Sequence, residues 1–103
     1  YGSFVEFYPF YLSEHQNTIS RLLHVVGTGV VLCEMIGLLI FLPGWSWIWL
    51  LPLTGYGFAW VGHFFFERNR PATFSYPLWS LRGDFTLFFE IMTGRRSIDA
   101  SLD

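Results

Sequence analysis

A Pro-Gly pair, Pro43-Gly44, divides one long apolar stretch of this 103-residue chain into two halves of nearly equal length. Residues 22–42 and 45–66 together contain one acidic residue, two histidines and no Lys or Arg. A helix that spans a bilayer needs ~20 predominantly apolar residues, so each half is long enough. Because Pro and Gly favour a turn, the two halves are predicted to form a helical hairpin in a membrane.

Shorter and more polar segments flank this hairpin. The aromatic N-terminal segment suits the membrane interface, and Asn17 is a suitable N-cap for the helix that follows. The fold class is therefore all-α: an integral membrane hairpin of two spanning helices, an interfacial N-terminal helix and an interfacial or partly embedded C-terminal helix. The predicted elements of this single membrane domain, residues 1–103, are a helix at 3–14, spans at 18–42 and 45–69, a third helix at 77–93 that Arg82-Gly83-Asp84 interrupts, and a tail at 94–103.

Composition supports a membrane protein and argues against nucleic-acid binding, an intramolecular disulfide and a cysteine-based zinc site. Hydrophobic residues make up 52% of the chain and charged residues 14%, compared with ~25% charged in soluble domains. The net charge of -2 and the lack of a basic stripe argue against nucleic-acid binding. The single cysteine, Cys33, excludes an intramolecular disulfide and a cysteine-based zinc site. Membrane lipid is the expected surrounding.

The positive charges predict the orientation. All six cationic residues are arginines, and none lies in the Pro43-Gly44 turn between the two spans. The positive-inside rule then places the N-terminus, the histidines and the tail on the cytoplasmic side. The expected location is a multi-pass position in a bacterial inner membrane or in the endoplasmic reticulum.

The three histidines are the candidate metal ligands. His24 and His63 lie about 19.5 residues on either side of the turn, or roughly 29 Å at 1.5 Å per residue, so the hairpin brings both to one membrane face. A chain break at Asn17 lets His15 fold back toward His24. Three neutral imidazoles would then converge, which suits Fe(II) or Zn(II). The alternative is that each histidine is only an interfacial anchor.

Three carboxylates raise further questions. Glu67 lies four residues after His63 on the same helix face, so it could complete the metal site or pair with an arginine. Glu34 lies near the middle of the bilayer, where a bare carboxylate is costly. It either hydrogen-bonds the hydroxyl of Thr54 or Tyr56 or lines a substrate cavity. Glu90 poses the same ligand question in the third helix.

Small residues predict the helix contacts. They recur every four positions on both spans, which lets membrane helices approach closely. The two predicted stripes are Gly29, Cys33 and Gly37 on the first helix and Gly55, Ala59 and His63 on the second. The second stripe turns His63 toward the first helix.

Other enzyme signatures are missing from the sequence. It has no Gly-rich phosphate loop, no Gly-x-Ser-x-Gly elbow and none of the HxxxH and HxxHH boxes of paired-iron membrane hydroxylases. Three histidines are too few for a histidine-rich two-iron cage. The chain therefore supports a single metal ion.

Three sequence blocks resemble the membrane family of 2-hydroxy fatty acid dioxygenases, which act in fatty-acid α-oxidation during phytosphingosine breakdown. The blocks are F-Y-P-F-Y-L-x-x-H-x-N at 7–17, R-L-L-H-x-x-G-T at 21–28 and W-V-G-H-F-F-F-E-R-N-R-P-A at 60–72. The resemblance implies Fe(II) held by His15, His24 and His63, with a 2-hydroxy fatty acid and O2 as substrates. The acid would lose one carbon as CO2.

Roles for the other candidates follow from the same resemblance. An arginine could clamp the substrate carboxylate, as guanidinium does bidentately. The expected catalytic residues are Glu67, Arg68 and Arg70, and the expected substrate-binding residues are Arg21, Asn17, Thr28 and Glu34. The acyl tail would run between the two spans.

Two other functions stay open from the sequence. One is a non-catalytic haem-b membrane protein with His24 and His63 as axial ligands. The other is a metal-free lipid-binding helper subunit. Acyl chain length, stereochemistry and oligomeric state are not readable from the residues, and an oligomer remains compatible with them.

Overall fold

The computed structural model describes residues 1–41, 43–71 and 74–102, except for the side chain of Leu102. This part of the chain contains helices and turns but no strand, so the predicted all-α class is confirmed. The four α-helices are α1 (Phe4–Ser13), α2 (Thr18–Phe41), α3 (Leu50–Val61) and α4 (Pro77–Met92). Shorter helical segments are the 3-10 helices Trp45–Trp49 and Ala100–Leu102 and the π-helix Gly62–Glu67.

The first helix packs against the last. The hydroxyl of Ser3 caps α1 by accepting a hydrogen bond from the backbone N–H of Glu6 at 3.3 Å. Phe7 and Tyr11 project from α1 and are fully buried with Leu87 of α4. Burial of these apolar side chains holds the N-terminal helix against the C-terminal helix.

The helix α2 begins where the sequence predicts. The Asn17 side chain accepts hydrogen bonds from the backbone N–H groups of Ile19 at 2.9 Å and Ser20 at 3.1 Å, as an N-cap does. With 24 residues, α2 is long and apolar enough to cross a membrane. Only 22% of its most apolar window is buried inside the protein. The helix predicted as the first span is therefore present to Phe41, and Leu42 lies outside the described residues.

The second half of the hairpin is divided, not a single helix over 45–69 as predicted. It runs as the 3-10 helix, then α3 and then the π-helix, and it ends at Arg68 with a left-handed φ of 57°. Pro52 lies in the first turn of α3, where its missing N–H leaves no hydrogen bond broken. With 12 residues, α3 is shorter than the ~20 that a span needs, so among the described helices only α2 passes the test for a span.

The two halves nevertheless pack as an antiparallel hairpin. Gly27 lies against Phe58, and Val31 against Gly55. The hydroxyl of Thr54 donates to the half-buried Glu34 carboxylate at 2.9 Å. Of the two hydroxyls predicted as partners of Glu34, the one on Thr54 is therefore confirmed.

The small-residue stripe predicted on the first helix is wrong. Gly29 faces Phe88 of α4, Cys33 is exposed, and nothing lies within 4 Å of a Cβ placed at Gly37. The close approach occurs at Gly27, because α4 covers a second face of α2 and changes which residues meet α3.

The predicted interruption of the third helix at Arg82-Gly83-Asp84 is also wrong, since α4 runs through these residues. A Cβ at Gly83 would lie 2.7 Å from the Tyr11 ring, so this glycine lets α1 dock. The tail returns to the hairpin, where buried Arg21 donates to the Ser97 carbonyl at 2.9 Å. Asp103 lies outside the described residues.

Candidate metal centre

The three histidines form a compact buried cluster. The Nε2 atoms of His15 and His24 lie 3.0 Å apart, and those of His24 and His63 lie 3.2 Å apart. One ligand atom from each residue lies within 4.8 Å of the others. The rings are steeply inclined to one another, with interplanar angles of 76–88°. The predicted convergence of all three imidazoles is therefore present.

The short connection between α1 and α2 positions His15. The chain leaves α1 at Ser13 and starts α2 at Thr18, which leaves four residues for the reversal. The Nδ1 atom of His15 donates to the Tyr11 carbonyl at 2.6 Å, and the Tyr11 ring stacks on the imidazole with centroids 4.0 Å apart. Arg21 Nε donates to the His15 carbonyl at 3.1 Å, so a buried guanidinium fixes the backbone of this ligand.

A close approach of two helices positions His24. Its Nδ1 atom donates to the Ser20 carbonyl one turn earlier at 2.8 Å. Gly62 lies opposite, where a Cβ would be 2.8 Å from Ser20 Oγ and 3.3 Å from His24 Cε1. Any side chain at this position would push the π-helix, and His63 with it, away from α2.

The π-helix and the left-handed residue after it position His63. The turn at Arg68 brings Asn69 back, so that its N–H donates to the His63 carbonyl at 3.0 Å. The Asn69 amide nitrogen donates to the carbonyl of Glu14 at 3.1 Å and to its carboxylate at 2.5 Å. The amide oxygen of Asn69 must then face His63, whose Nδ1–H donates to it at 2.7 Å. π-Helical turns are frequent at functional sites.

These outer hydrogen bonds define the protonation of the cluster. Each Nδ1 faces an oxygen that can only accept, so each Nδ1 carries the proton and each Nε2 presents a lone pair. Burial, reinforced by the neighbouring His24 and His63, holds the pKa of His15 well below its ordinary value, so this ring is neutral at pH 7. Three Nε2 lone pairs thus face one another in a buried site.

A single metal ion fits this donor set. Three lone pairs that face one another repel unless a cation lies between them, and imidazole suits iron, zinc, copper and nickel. Two nitrogens at ~2.1 Å from one ion and about 90° apart are ~3.0 Å from each other. The two closest nitrogen pairs match that separation. Metal-bound histidines ordinarily donate their other ring N–H to an oxygen, as each Nδ1 does here.

The acidic candidates lie outside this cluster. In the described parts of the chain, the donor group consists of the three histidines. Glu67 accepts from the backbone N–H of Asn17 at 2.9 Å and so helps to close the start of α2. Glu90 accepts from the Tyr8 hydroxyl and from Arg96 Nε at 2.9 Å.

The other predicted site residues are spread over the fold. Arg21 is fully buried and donates to backbone carbonyls, whereas Arg68 and Arg70 are exposed, with the Arg70 guanidinium 4.8 Å from the Phe74 ring. The Asn17 side chain is the cap of α2. Thr28 is buried one turn beyond His24. The structure brings together His24 and Thr28 but leaves Arg68 and Arg70 at the surface.

A small cavity adjoins the histidine cluster, between α2, α3 and α4. Its volume is about 40 Å³, and it is lined by His24, Thr28, Val31, Gly55, Ala59, Leu81, Asp84 and Phe85. Asp84 accepts a hydrogen bond from the Tyr11 hydroxyl at 2.5 Å, and burial raises the pKa of its carboxyl to about 7.

Sequence reasoning missed three residues of this region: Tyr11, Asn69 and Asp84. Tyr11 and Asn69 lie inside the sequence blocks at 7–17 and 60–72 that also contain histidines, so their proximity to these histidines could have been predicted. Asp84 is an acidic residue in an otherwise apolar helix, and we interpreted it only as an interruption.

Fold and site together define a helical protein with a buried three-histidine site of the kind that holds a metal ion. The family model Mpo1-like, described as 2-hydroxy-palmitic acid dioxygenase Mpo1-like, matches residues 1–96. The chain belongs to this family, as the three sequence blocks indicated. The family's name implies a dioxygenase. No curated protein and no solved structure matches the chain.

Proposed function

We propose that this protein is an Fe(II)- and O2-dependent dioxygenase that converts a 2-hydroxy fatty acid into the fatty acid one carbon shorter, with release of CO2. The observation that carries the proposal is the convergence of three Nε2 lone pairs, each fixed by an outer hydrogen bond, in a chain of this family. Ferrous iron is the metal whose chemistry suits an oxygenase with open coordination positions.

The reaction balances without a cosubstrate. A 2-hydroxy acid and O2 yield the shortened acid, CO2 and water, and the four electrons that the substrate loses equal the number that O2 accepts. When bound by His15, His24 and His63, iron would supply the redox chemistry that joins O2 to the acid. The protein's part is to hold the ligands, exclude water and orient the acid.

The residues around the cluster support these tasks. Tyr11 and Ser20 carbonyls and the Asn69 amide keep the three imidazoles in one tautomer, so the site is prepared before the metal arrives. Arg21 lies behind His15 and binds its carbonyl, which favours a role in positioning that ligand. Substrate contacts by Asn17, Thr28 and Glu34 and catalytic roles for Glu67, Arg68 and Arg70 remain part of the proposal.

The membrane arrangement is also a proposal. The 3-10 helix, α3 and the π-helix follow one another without a break from Trp45 to Glu67, antiparallel to α2, which supports a second crossing beside the first. Large apolar side chains on this part of the molecule are exposed, among them Leu39 at 75% and Leu53 at 72%. The arginine distribution supports a cytoplasmic position for the histidine end.

The direct test is turnover by the purified chain, loaded with Fe(II) without O2 and then exposed to air. We expect the shortened acid and CO2 in equal amounts, and a loss of at least 100-fold in turnover in His24→Ala and His63→Ala. Phe65→Ala, at a 72% exposed position two residues from His63, is the control and should keep its activity. Full turnover without either histidine would overturn the proposal.

The haem alternative fits the geometry poorly. A haem held by His24 and His63 would need room for the whole macrocycle between the two imidazoles. His24 and His63 are 3.2 Å apart, and the adjoining cavity is about 40 Å³. We expect the absorption spectrum of the purified protein to show no Soret band. Metal analysis tests the other alternative, because a metal-free helper subunit would bind no iron even after Fe(II) is added without O2.

A further inference from the structure

The cavity beside His24 carries one carboxyl group whose purpose the fold does not explain. Seven of its eight lining residues are the metal-ligand candidate, a threonine and apolar or small residues, and the eighth is Asp84. An acid in such surroundings loses hydration, which is why burial raises its pKa to about 7. A hydrophobic residue would fill the same place at less cost.

One oxygen of this carboxyl group is already held. Gly83 leaves room for the Tyr11 ring, whose hydroxyl donates to Asp84 Oδ1 at 2.5 Å. The same ring stacks on His15, with centroids 4.0 Å apart. Asp84 is therefore fixed in direction relative to the histidine cluster, as a residue that orients a ligand must be.

The other oxygen is available to a ligand. Asp84 is half-buried and lines the cavity, and within the described parts of the chain a hydrogen-bond donor reaches only its Oδ1. A carboxylate oxygen accepts hydrogen bonds and repels a second carboxylate. The cavity therefore offers the Asp84 carboxyl oxygen as an acceptor next to the proposed iron site. A ligand hydroxyl is favoured over an anionic group beside this oxygen.

We propose that Asp84 is a specificity-determining residue, whose free oxygen accepts a hydrogen bond from the 2-hydroxyl of the substrate. This inference rests on the proposed function, since it assigns the substrate's head group to the cavity beside His24. It explains how a fatty acid without the hydroxyl is disfavoured: the half-buried Asp84 oxygen then receives no hydrogen bond from the ligand, which weakens binding roughly tenfold.

The test measures binding of two acids of equal length, one with and one without the 2-hydroxyl, to the Fe(II)-loaded full chain under anaerobic conditions. The absence of O2 prevents turnover, and any chelation of iron contributes equally in wild type and variant. We expect Asp84→Ala, whose side chain can neither accept nor donate a hydrogen bond, to reduce the preference for the 2-hydroxy acid at least tenfold while one iron per chain is retained. An unchanged preference in that variant would overturn the inference.

A second carboxylate variant is the matched control. Tyr11→Phe would release the carboxyl group that Tyr11 holds, so the control is placed elsewhere: Glu6→Ala removes a carboxyl group at an exposed position of α1 outside the cavity lining, and the preference should stay within threefold of wild type. An equal loss in Glu6→Ala would show that the effect is not specific to Asp84, which also overturns the inference. The preference is measured separately from turnover, so a chain that discriminates between the acids but forms no product contradicts the proposed function alone.

A substrate analogue tests the inference without any variant. A 2-fluoro fatty acid of the same length has a substituent of similar size that cannot donate a hydrogen bond. Wild type should bind it at least tenfold more weakly than the 2-hydroxy acid. Equal affinity for the two would contradict a role for the Asp84 acceptor, whether or not Asp84→Ala folds.

Discussion

At the scale of single residues, Asn69 determines whether His63 can act as a ligand. Its amide nitrogen is committed to Glu14, so its oxygen can only accept from His63 Nδ1. That contact leaves the lone pair on Nε2, where it faces His24. Asn69 acts through His63, because an oxygen that accepts the Nδ1 proton holds the tautomer and orientation that a metal-binding histidine requires.

We expect Asn69→Ala to weaken metal binding 10- to 100-fold, because the His63 ring loses its fixed tautomer and orientation. Competition with a chromophoric chelator for Fe(II) or Zn(II) measures this loss. Gln16→Ala is the control: it also removes an amide side chain, but Gln16 is exposed and donates to the Leu12 carbonyl. Equal metal affinity in both variants would show that the Asn69 contact is dispensable.

Sequence patterns predicted some of these residues and not others. The proximity of His24 and His63 follows from their equal distances to the Pro43-Gly44 turn. A polar partner for Glu34 follows from the energetic cost of a bare carboxylate in an apolar environment. The role of Asn69 depends on the left-handed turn at Arg68, which no spacing reveals.

At the scale of helices, the packing of α2 depends on two neighbours and not one. Four-residue spacing of small side chains predicts that helices approach, but it does not say which partner each glycine meets. Gly27 meets Phe58 of α3, whereas Gly29 meets Phe88 of α4. The existence of the helices and most of their ends could be predicted from apolar length, capping and proline. The change to a π-helix before Arg68 could not, because it depends on tertiary contacts.

Gly27 and Gly37 form a matched pair of variants in one helix. A Cβ at Gly27 would lie 2.6 Å from Phe58 Cβ, while a Cβ at Gly37 meets nothing within 4 Å. Alanine in a helix interior gains ~1 kcal/mol over glycine, so Gly37→Ala should be neutral or slightly stabilising. Gly27→Ala should be destabilising by about 1–3 kcal/mol, because α3 must move. Thermal unfolding in detergent compares them, and a Gly27→Ala protein as stable as Gly37→Ala would contradict the packing.

At the scale of the whole molecule, the fold gathers ligands that are far apart in sequence. The α2–α3 hairpin brings His63 to His24, across 39 residues, and the return after α1 adds His15. α4 closes the site from the side, where its Asp84 accepts a hydrogen bond from Tyr11 of α1, and the tail holds Arg21 behind His15. The sequence blocks indicated the candidate ligands, but the closing role of α4 emerges only when the chain is folded.

The central claim is that His15, His24 and His63 hold one iron ion. Anaerobic titration of the purified full-length chain with Fe(II), followed by X-ray absorption at the iron edge, measures both the stoichiometry and the nitrogen ligands. We predict one Fe(II) per chain, a signal from three imidazole ligands in wild type, and a loss of at least 100-fold in affinity in His15→Ala. Unchanged iron binding in His15→Ala, or no imidazole signal from bound iron, would contradict the account.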